Sequence, residues 1–234
     1  MEKILQNEKD FIEYLFKYED KKYKDFHRKL ILSNGDDLIG IRMNNLKDIA
    51  KKISKCNFLN MFNYELELYE EKMILGLAIG YSNYSFNDIL LYLDKYLCYI
   101  DNWGICDSVC SNLKQFKVNQ EEGFKYINKL LHSNNEFDVR VAFVLLLCHY
   151  VNDKYIDEII KIVYNYKSKG LYYIDMAISW LISVLYVYYP GKTIILFEKN
   201  TLSKFINNKA ISKICDSFRV SKEDKNILKG YRVK

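Results

Sequence analysis

The heptapeptide Asn-Trp-Gly-Ile-Cys-Asp-Ser at residues 102–108 is the segment from which the rest of this chain can be interpreted. It holds Trp103, one of only two tryptophans in 234 residues, four positions before Asp107. Side chains four positions apart share one face of an α-helix, with Cβ atoms about 5–6 Å apart. The residues that flank Asp107 are apolar, so the segment predicts a helix packed on a core. A carboxylate in that setting is either paired or functional.

Two later apolar segments each carry one residue that stands out. Arg140 interrupts the apolar helical pattern of residues 137–143, and Trp180 lies in the helical segment that follows Asp175. Only five of the 35 basic residues are arginines, so an arginine at an apolar position indicates a need for its planar guanidinium. Two indole faces, a carboxylate and a guanidinium suit a positively charged ring held beside a phosphate backbone.

The composition favours an all-α fold. The chain is 50% hydrophobic and has nine glycines and a single proline, Pro190, which argues for long helices with short connections. Ser85, Asn134 and Gly170 are the helix-boundary signals, and residues 33–37 are the clearest loop. Apolar spacing fits a period of about 3.6 better than 2. It predicts helices over residues 7–17, 22–32, 44–55, 60–80, 86–99, 104–117, 120–132, 135–150, 153–166, 171–188, 193–200, 201–214 and 221–229.

The unusual residues are evenly spaced along the chain. Trp103 and Arg140 are 37 residues apart, and Arg140 and Trp180 are 40 apart. Helix-pair repeats of the HEAT and armadillo type have periods of about 40–47 residues, and residues one period apart project onto the same face. We therefore predict a single domain over residues 1–234, built of HEAT-like antiparallel helix pairs that form a curved solenoid (an α-α superhelix). Asp107 would join the other three residues on its concave surface.

The net charge, the first residues and the cysteines indicate the kind of partner and the cellular compartment to expect. The net charge of +5 gives slight support for an anionic partner. The charged first residues do not match a secretory signal, and no uncharged apolar run approaches the roughly 18–20 residues that span a bilayer. We expect a cytoplasmic protein with reduced thiols. Cys106 and Cys110 lack the tight pairing typical of zinc sites, so we interpret the six cysteines as core thiols and expect no metal.

The order and spacing of these residues resemble those of the AlkD-type DNA alkylation repair glycosylases. The resemblance lies in Trp103-x-x-x-Asp107-Ser108, in Arg140 within Val-Arg-Val-Ala, and in Trp180 within Ala-Ile-Ser-Trp. Residues 38–42, Leu-Ile-Gly-Ile-Arg, resemble the Gly-hydrophobic-Arg/Gln segment of that family. The resemblance covers most of the chain. It implies a HEAT-like solenoid that removes positively charged alkylated purines, such as N3-methyladenine and N7-methylguanine.

The resemblance also implies a role for each site residue. Asp107 would be the catalytic carboxylate, Trp103 and Trp180 would flank the deoxyribose, and Arg140 and Arg42 would bind the DNA. An alkylated purine is cationic and departs as a neutral base, so the charge left to stabilise is the oxocarbenium-like charge on the sugar. A carboxylate can stabilise that charge and orient water. The expected partner is duplex DNA with alkylated bases, bound by a monomer without cofactor or membrane.

Two departures from the family pattern keep other functions open. Gly104 follows the first tryptophan where the family often has an aromatic or acidic residue, and Ser183 stands where some relatives have a basic residue. The alternatives are a non-catalytic HEAT-like binder of bent or branched DNA and a protein-interaction helical scaffold. The tryptophans could also be core anchors, and Arg140 could form a buried ion pair with Asp107.

Overall fold

The fold is known from a computed structural model that describes residues 1–31 and 38–234. Every regular element in these ranges is a helix, which confirms the predicted all-α class. The predicted loop at residues 33–37 lies outside the described residues. In chain order the α-helices are α1 (Glu8–Phe16), α2 (Lys21–Leu30), α3 (Met43–Ile53), α4 (Tyr69–Tyr81), α5 (Phe86–Tyr96), α6 (Trp103–Asn112), α7 (Gln115–Val118), α8 (Gln120–Leu131), α9 (Glu136–His149), α10 (Ile156–Asn165), α11 (Tyr172–Tyr188), α12 (Pro190–Thr193), α13 (Ile195–Glu198), α14 (Lys204–Asp216) and α15 (Lys222–Lys229).

Three of the predicted helices contain a break, so their predicted bounds are wrong. These are 60–80, 104–117 and 193–200. In the first, the 3-10 helix Phe58–Asn63 ends at an extended Tyr64, and Leu66 then adopts a left-handed conformation with φ +46°, so α4 begins only at Tyr69. The second is divided between α6 and α7, and the third falls in the one-turn helices α12 and α13. Hydrophobic periodicity places helices well but does not report their exact ends.

Capping chemistry places several helix ends. The Ser85 hydroxyl accepts a hydrogen bond from the backbone N–H of Asp88 at 3.2 Å, which confirms the predicted start of α5. For α9 the predicted cap Asn134 is wrong by one position. Asn135 caps this helix, because its Oδ1 accepts from the backbone N–H of Phe137 at 2.8 Å.

The chain divides into two compact units, and the first, Met1–Asn119, is organised around α4. Twelve of the 13 residues of α4 are buried, because apolar side chains cover nearly its whole circumference. It packs against α3, α5 and α6. Tyr69, at the start of α4, lies against Gly104 at the start of α6, and near their ends Nδ2 of Asn112 donates to the carbonyl of Leu77 at 2.9 Å. The two helices therefore run parallel, and α5 is the returning helix between them.

The second unit, Gln120–Lys234, contains three long helices that lie side by side: α9, α11 and α14. The first turns of α9 and α11 meet where the backbone N–H of Tyr173 donates to the Glu136 carboxylate at 2.7 Å. The first turns of α11 and α14 meet where the rings of Tyr172 and Phe205 lie 6.0 Å apart. All three helices therefore begin at the same end of this unit.

Antiparallel pairs also occur in the second unit, as predicted. The Tyr150 hydroxyl, just after α9, donates to the carbonyl of Gln120 at the start of α8 at 3.1 Å. Likewise Nδ2 of Asn207, near the start of α14, donates to the carbonyl of Tyr231, just after α15, at 2.9 Å. Returning helices thus separate helices that share a direction. The curved HEAT-like solenoid of the whole chain stays a prediction.

Membrane-spanning helices, metal sites and cysteine burial can each be assessed in the described residues. Within 1–31 and 38–234, no helix combines the length and the apolarity needed to cross a bilayer. The same ranges hold no group of three His, Cys, Asp or Glu side chains placed to bind a metal ion. Cys106 and Cys110 are buried in α6, but Cys98 is exposed in the 3-10 turn after α5. The interpretation of all six cysteines as core thiols is therefore wrong for Cys98.

Candidate active site

The start of α6 is fixed by a short polar chain. Asn102 is only 2% exposed, and its Oδ1 accepts from the backbone N–H of Ile105 at 3.0 Å, which caps the helix. Its Nδ2 donates to the carboxylate of Asp101 at 2.8 Å, and Asp101 also pairs with Lys72 of α4 at 2.8 Å. These bonds make Trp103 the first residue of α6 and hold it in place.

Trp103 and Asp107 lie on the accessible face of α6. The indole is 40% exposed and Asp107 is half-buried. The rest of this part of the helix faces the core through Gly104, Ile105, Cys106, Val109 and Cys110. The structure thus confirms that the two side chains share one helix face. A half-buried carboxylate beside an electron-rich ring can stabilise a cation more strongly than either group could in open water.

Gly104 is explained by Tyr69 of α4. A Cβ atom at residue 104 would lie 3.0 Å from the Tyr69 hydroxyl and 3.2 Å from Oδ1 of Asn102. The space next to Trp103 that the related family often fills with a larger residue is therefore occupied from another helix. Tyr69 is fully enclosed, and this burial raises the pKa of its hydroxyl far above the ordinary range.

The segment that carries Arg42 is held by a buried carboxylate. Glu70 of α4 accepts hydrogen bonds from three consecutive backbone N–H groups, those of Ile39 at 3.0 Å, Gly40 at 2.8 Å and Ile41 at 3.2 Å. Gly40 has φ +91°, a conformation that a residue with a Cβ adopts only with strain. The segment therefore enters α3 in one fixed direction, with Arg42 at its cap position.

Arg42 is exposed but oriented. Its Nε and Nη2 donate to Oδ2 of Asp20 at 2.9 and 2.8 Å, and its guanidinium carbon lies 5.1 Å from the centre of the Tyr23 ring. The backbone N–H of Tyr23 and then the Arg42 guanidinium hold the pKa of Asp20 below its usual value. The side chain predicted to bind DNA is thus paired with Asp20 in this structure, and its guanidinium lies over the Tyr23 ring.

A stack of rings connects Arg42 to the start of α6. The Tyr23 ring stacks on His27 at 5.1 Å between centroids, and His27 meets Tyr69 edge-on at 5.0 Å. Tyr69 in turn contacts Gly104. Burial lowers the pKa of His27, so its neutral form is favoured within the stack. The first unit therefore brings Arg42 and the Trp103 helix into one continuous set of contacts.

Arg140 is enclosed between α9 and α11. It is only 4% exposed, its Nη1 donates to the carbonyl oxygen of Tyr173 at 2.7 Å, and its guanidinium carbon lies 6.0 Å from the Tyr173 ring centre. Tyr173 is the second residue of α11. The arginine that the sequence singled out thus fixes the first turn of the helix that carries Trp180.

Trp180 belongs to the accessible side of α11. The partly buried residues of this helix recur every three or four positions, while the residues between them are mostly buried. We call this set the Trp180 stripe; it consists of Tyr173, Met176, Trp180, Val184 and Val187. Arg140 contacts the stripe at its first residue. The Ser183 hydroxyl donates to the carbonyl of Trp180 at 2.7 Å, so it is used within the helix.

The predicted site residues thus form two groups, one in each unit. Arg42, Trp103 and Asp107 lie in Met1–Asn119, and Arg140 and Trp180 lie in Gln120–Lys234. The sequence interpretation missed the supporting residues Tyr69, Glu70 and Tyr173. Only Tyr173 had a readable signal, because it precedes Trp180 by seven positions, or two helical turns.

A comparison with known protein families gives a match over most of the chain. The sequence profile of a family described as DNA alkylation repair enzyme matches residues 9–214, a range that includes all five predicted site residues. No curated protein and no solved structure matches the chain. The profile covers far more than half of the sequence, and the chain therefore belongs to the DNA alkylation repair enzyme family.

Proposed function

We propose that this protein is a DNA glycosylase that removes positively charged alkylated purines by hydrolysing the N-glycosidic bond. The observation that carries the proposal is the accessible pair of Trp103 and Asp107 on one face of α6. Membership of a DNA alkylation repair family supports a damaged-DNA substrate. N3-methyladenine and N7-methylguanine are the substrates we expect, because each carries its positive charge on the base that must leave.

Charge governs the proposed mechanism. As the glycosidic bond lengthens, the base takes the bonding electrons and becomes neutral, and positive charge builds up on the sugar. The carboxylate of Asp107 stabilises that charge, orients a water molecule that attacks the anomeric carbon, and accepts the proton that this water loses. The indole of Trp103 supplies an electron-rich face on the same side, worth about 0.5–2 kcal/mol toward an adjacent cation. No general acid is needed, because the leaving base is already cationic.

The second unit would supply the rest of the site. In the proposed complex Trp180 lies against the same deoxyribose, and Arg140 fixes the first turn of its helix through Tyr173. Arg42 is the proposed direct contact to the DNA backbone, and Arg140, which is only 4% exposed, is proposed to act on the DNA through the position it gives Tyr173 and Trp180. This arrangement rests on a single HEAT-like domain over residues 1–234 that acts as a monomer. The family match runs through both compact units, which supports assigning residues of both units to one activity.

The test is base release from defined duplexes. The purified protein is incubated with duplexes that contain one N7-methylguanine or one N3-methyladenine, and free base is measured by mass spectrometry. An unmodified duplex of the same sequence is the control. Release from the modified duplexes alone supports the proposal. Binding without release would instead favour a non-catalytic DNA binder, and an absence of binding would favour a protein-interaction scaffold.

A further inference from the structure

A cavity of about 270 Å³ opens at the C-terminal end of α11. It lies between α11, α14 and the loop that follows α14, and its lining includes Ser183, Val187, Tyr188, Lys213, Ser217 and Arg219. Two of these side chains are cations and three carry hydroxyl groups. Among the described residues that line the cavity, none is acidic. Such a set of donors suits an anion with several oxygen atoms.

The cavity continues the Trp180 stripe. Ser183 and Val184 lie three and four positions after Trp180, and Val187 lies seven positions after it, so all of them share its side of α11. A ligand in the cavity would therefore lie about 10 Å from Trp180 along the helix axis, at about 1.5 Å per residue.

Arg219 is oriented toward this cavity by two contacts. Its Nη1 donates to the hydroxyl of Tyr188 at 3.0 Å, and its backbone N–H donates to the hydroxyl of Ser217 at 3.2 Å. Arg219 is exposed, so a ligand from solvent can reach its guanidinium directly. The planar guanidinium matches phosphate oxygens better than an ammonium group does.

Cationic side chains thus lie at both ends of the stripe. Arg140, which is buried, contacts Tyr173 at the beginning of the stripe, and the exposed Arg219 contacts Tyr188, the neighbour of its last residue Val187. These two tyrosines are 15 residues apart in α11, or about 22 Å at about 1.5 Å per residue. That distance corresponds to roughly six base-pair steps of about 3.4 Å each. Trp180 lies near the middle, where the damaged nucleotide would be.

We propose that this cavity binds a backbone phosphate of duplex DNA and that Arg219 is its main ligand. The inference rests on the proposed function, because it places the phosphate on the strand whose damaged sugar lies against Trp180. Arg219 is a positioning residue here. It holds the strand in register and does not touch the reacting atoms.

The test compares Arg219→Gln with Lys161→Gln, which removes one charge from an exposed position on the returning helix α10. Affinity for an unmodified duplex is measured over a range of salt concentrations. Loss of one phosphate contact lowers the slope of log K against log salt by about 0.9. We expect this decrease and about tenfold weaker binding for Arg219→Gln only. Arg219→Lys should restore the slope, because the charge returns.

Single-turnover base release separates this inference from the proposed function. At saturating protein, Lys161→Gln should release the base at the wild-type rate, and Arg219→Gln should need a higher protein concentration to reach its maximal rate. Wild-type affinity and slope in Arg219→Gln would overturn the phosphate subsite and leave the glycosylase proposal intact. A wild-type protein that binds but releases no base would overturn the glycosylase proposal, while the salt slopes would still decide the subsite. A wild type that does not bind DNA would overturn both.

Discussion

Nη1 of Arg140 donates a 2.7 Å hydrogen bond to the carbonyl oxygen of Tyr173, and this bond joins the second turn of α9 to the first turn of α11. Arg140 is the residue that the sequence singled out as a cation at an apolar position. In the structure its guanidinium is inside the protein, at 4% exposure. Its position accounts for the choice of arginine, because a planar group can donate to a carbonyl and lie beside a ring at the same time.

Replacing Arg140 with lysine should therefore destabilise the protein although the charge is retained. A lysine cannot reproduce both contacts, and we expect the free energy of unfolding to fall by about 1–3 kcal/mol. Urea denaturation followed by circular dichroism measures this change. Arg219→Lys is the matched control, because Arg219 is exposed and should change stability little. Equal stability of the two variants would show that the bond to Tyr173 contributes nothing measurable.

Because Tyr69 contacts Gly104, the effect of Gly104→Ala on stability should change sign when Tyr69 is replaced by phenylalanine. In the wild type, Gly104→Ala forces the new methyl group against the Tyr69 hydroxyl, 3.0 Å from its ideal position. We expect a loss of about 1 kcal/mol of stability, since overpacking outweighs the better helix propensity of alanine. In a Tyr69→Phe background the hydroxyl is absent, and the same substitution should stabilise the protein by up to about 1 kcal/mol.

A double-mutant cycle on thermal or urea unfolding measures both values. A destabilisation of similar size in both backgrounds would mean that Tyr69 is not what excludes a side chain from residue 104.

Because the carboxyl group of Glu71 is buried, we expect the free energy of unfolding to decrease as the pH rises. Burial raises the pKa of this carboxyl from 4.5 to about 7, against the opposing hydrogen bond from the backbone N–H of Leu68. Its Oε1 is buried without a hydrogen-bond partner among the described residues. Between about pH 4.5 and pH 7 the unfolded chain releases this proton and the folded protein keeps it. The stabilisation is therefore complete at low pH and is lost over that interval, by about 3 kcal/mol in total.

Glu71→Gln should remove this dependence, because a neutral amide occupies the same position. The measurement is the difference in unfolding free energy between variant and wild type from pH 4 to pH 8. The difference should rise in favour of the variant across the interval and level off above about pH 7. Glu158→Gln, at an exposed position on α10, is the control for the loss of a carboxylate that does not act on Glu71. A flat difference for Glu71→Gln would contradict the raised pKa.

Local sequence signals accounted for most of the helices, and they failed where the backbone adopts a conformation that the residue type does not signal. Ser85 caps α5 through the residue three positions on, which a single sequence can show. The late start of α4 depends on the left-handed Leu66, a residue whose type carries no such preference. Periodicity over residues 60–80 therefore predicted one helix where the chain has a break.

In the candidate site, too, local sequence patterns predicted some features and missed those that depend on distant residues. The i, i+4 spacing by itself predicts that Trp103 and Asp107 share one helix face. The partner that fills the space at Gly104 lies 35 positions earlier in the chain, at Tyr69, and no local pattern connects them. Arg219 had a usable signal in the scarcity of arginine. It lies outside an apolar helical pattern, however, and only the fold brings it to the cavity beside Ser183.

The most direct test of the account is the rate at which 7-methylguanine leaves duplex DNA under single-turnover conditions. Asp107→Asn keeps the shape of the side chain and removes its charge, so release should slow by about a hundredfold or more while the fold and DNA affinity are retained. Asp48→Asn, at an exposed position on α3, should release the base at the wild-type rate. Release by Asp107→Asn at the wild-type rate would contradict the claim that this carboxylate drives the reaction.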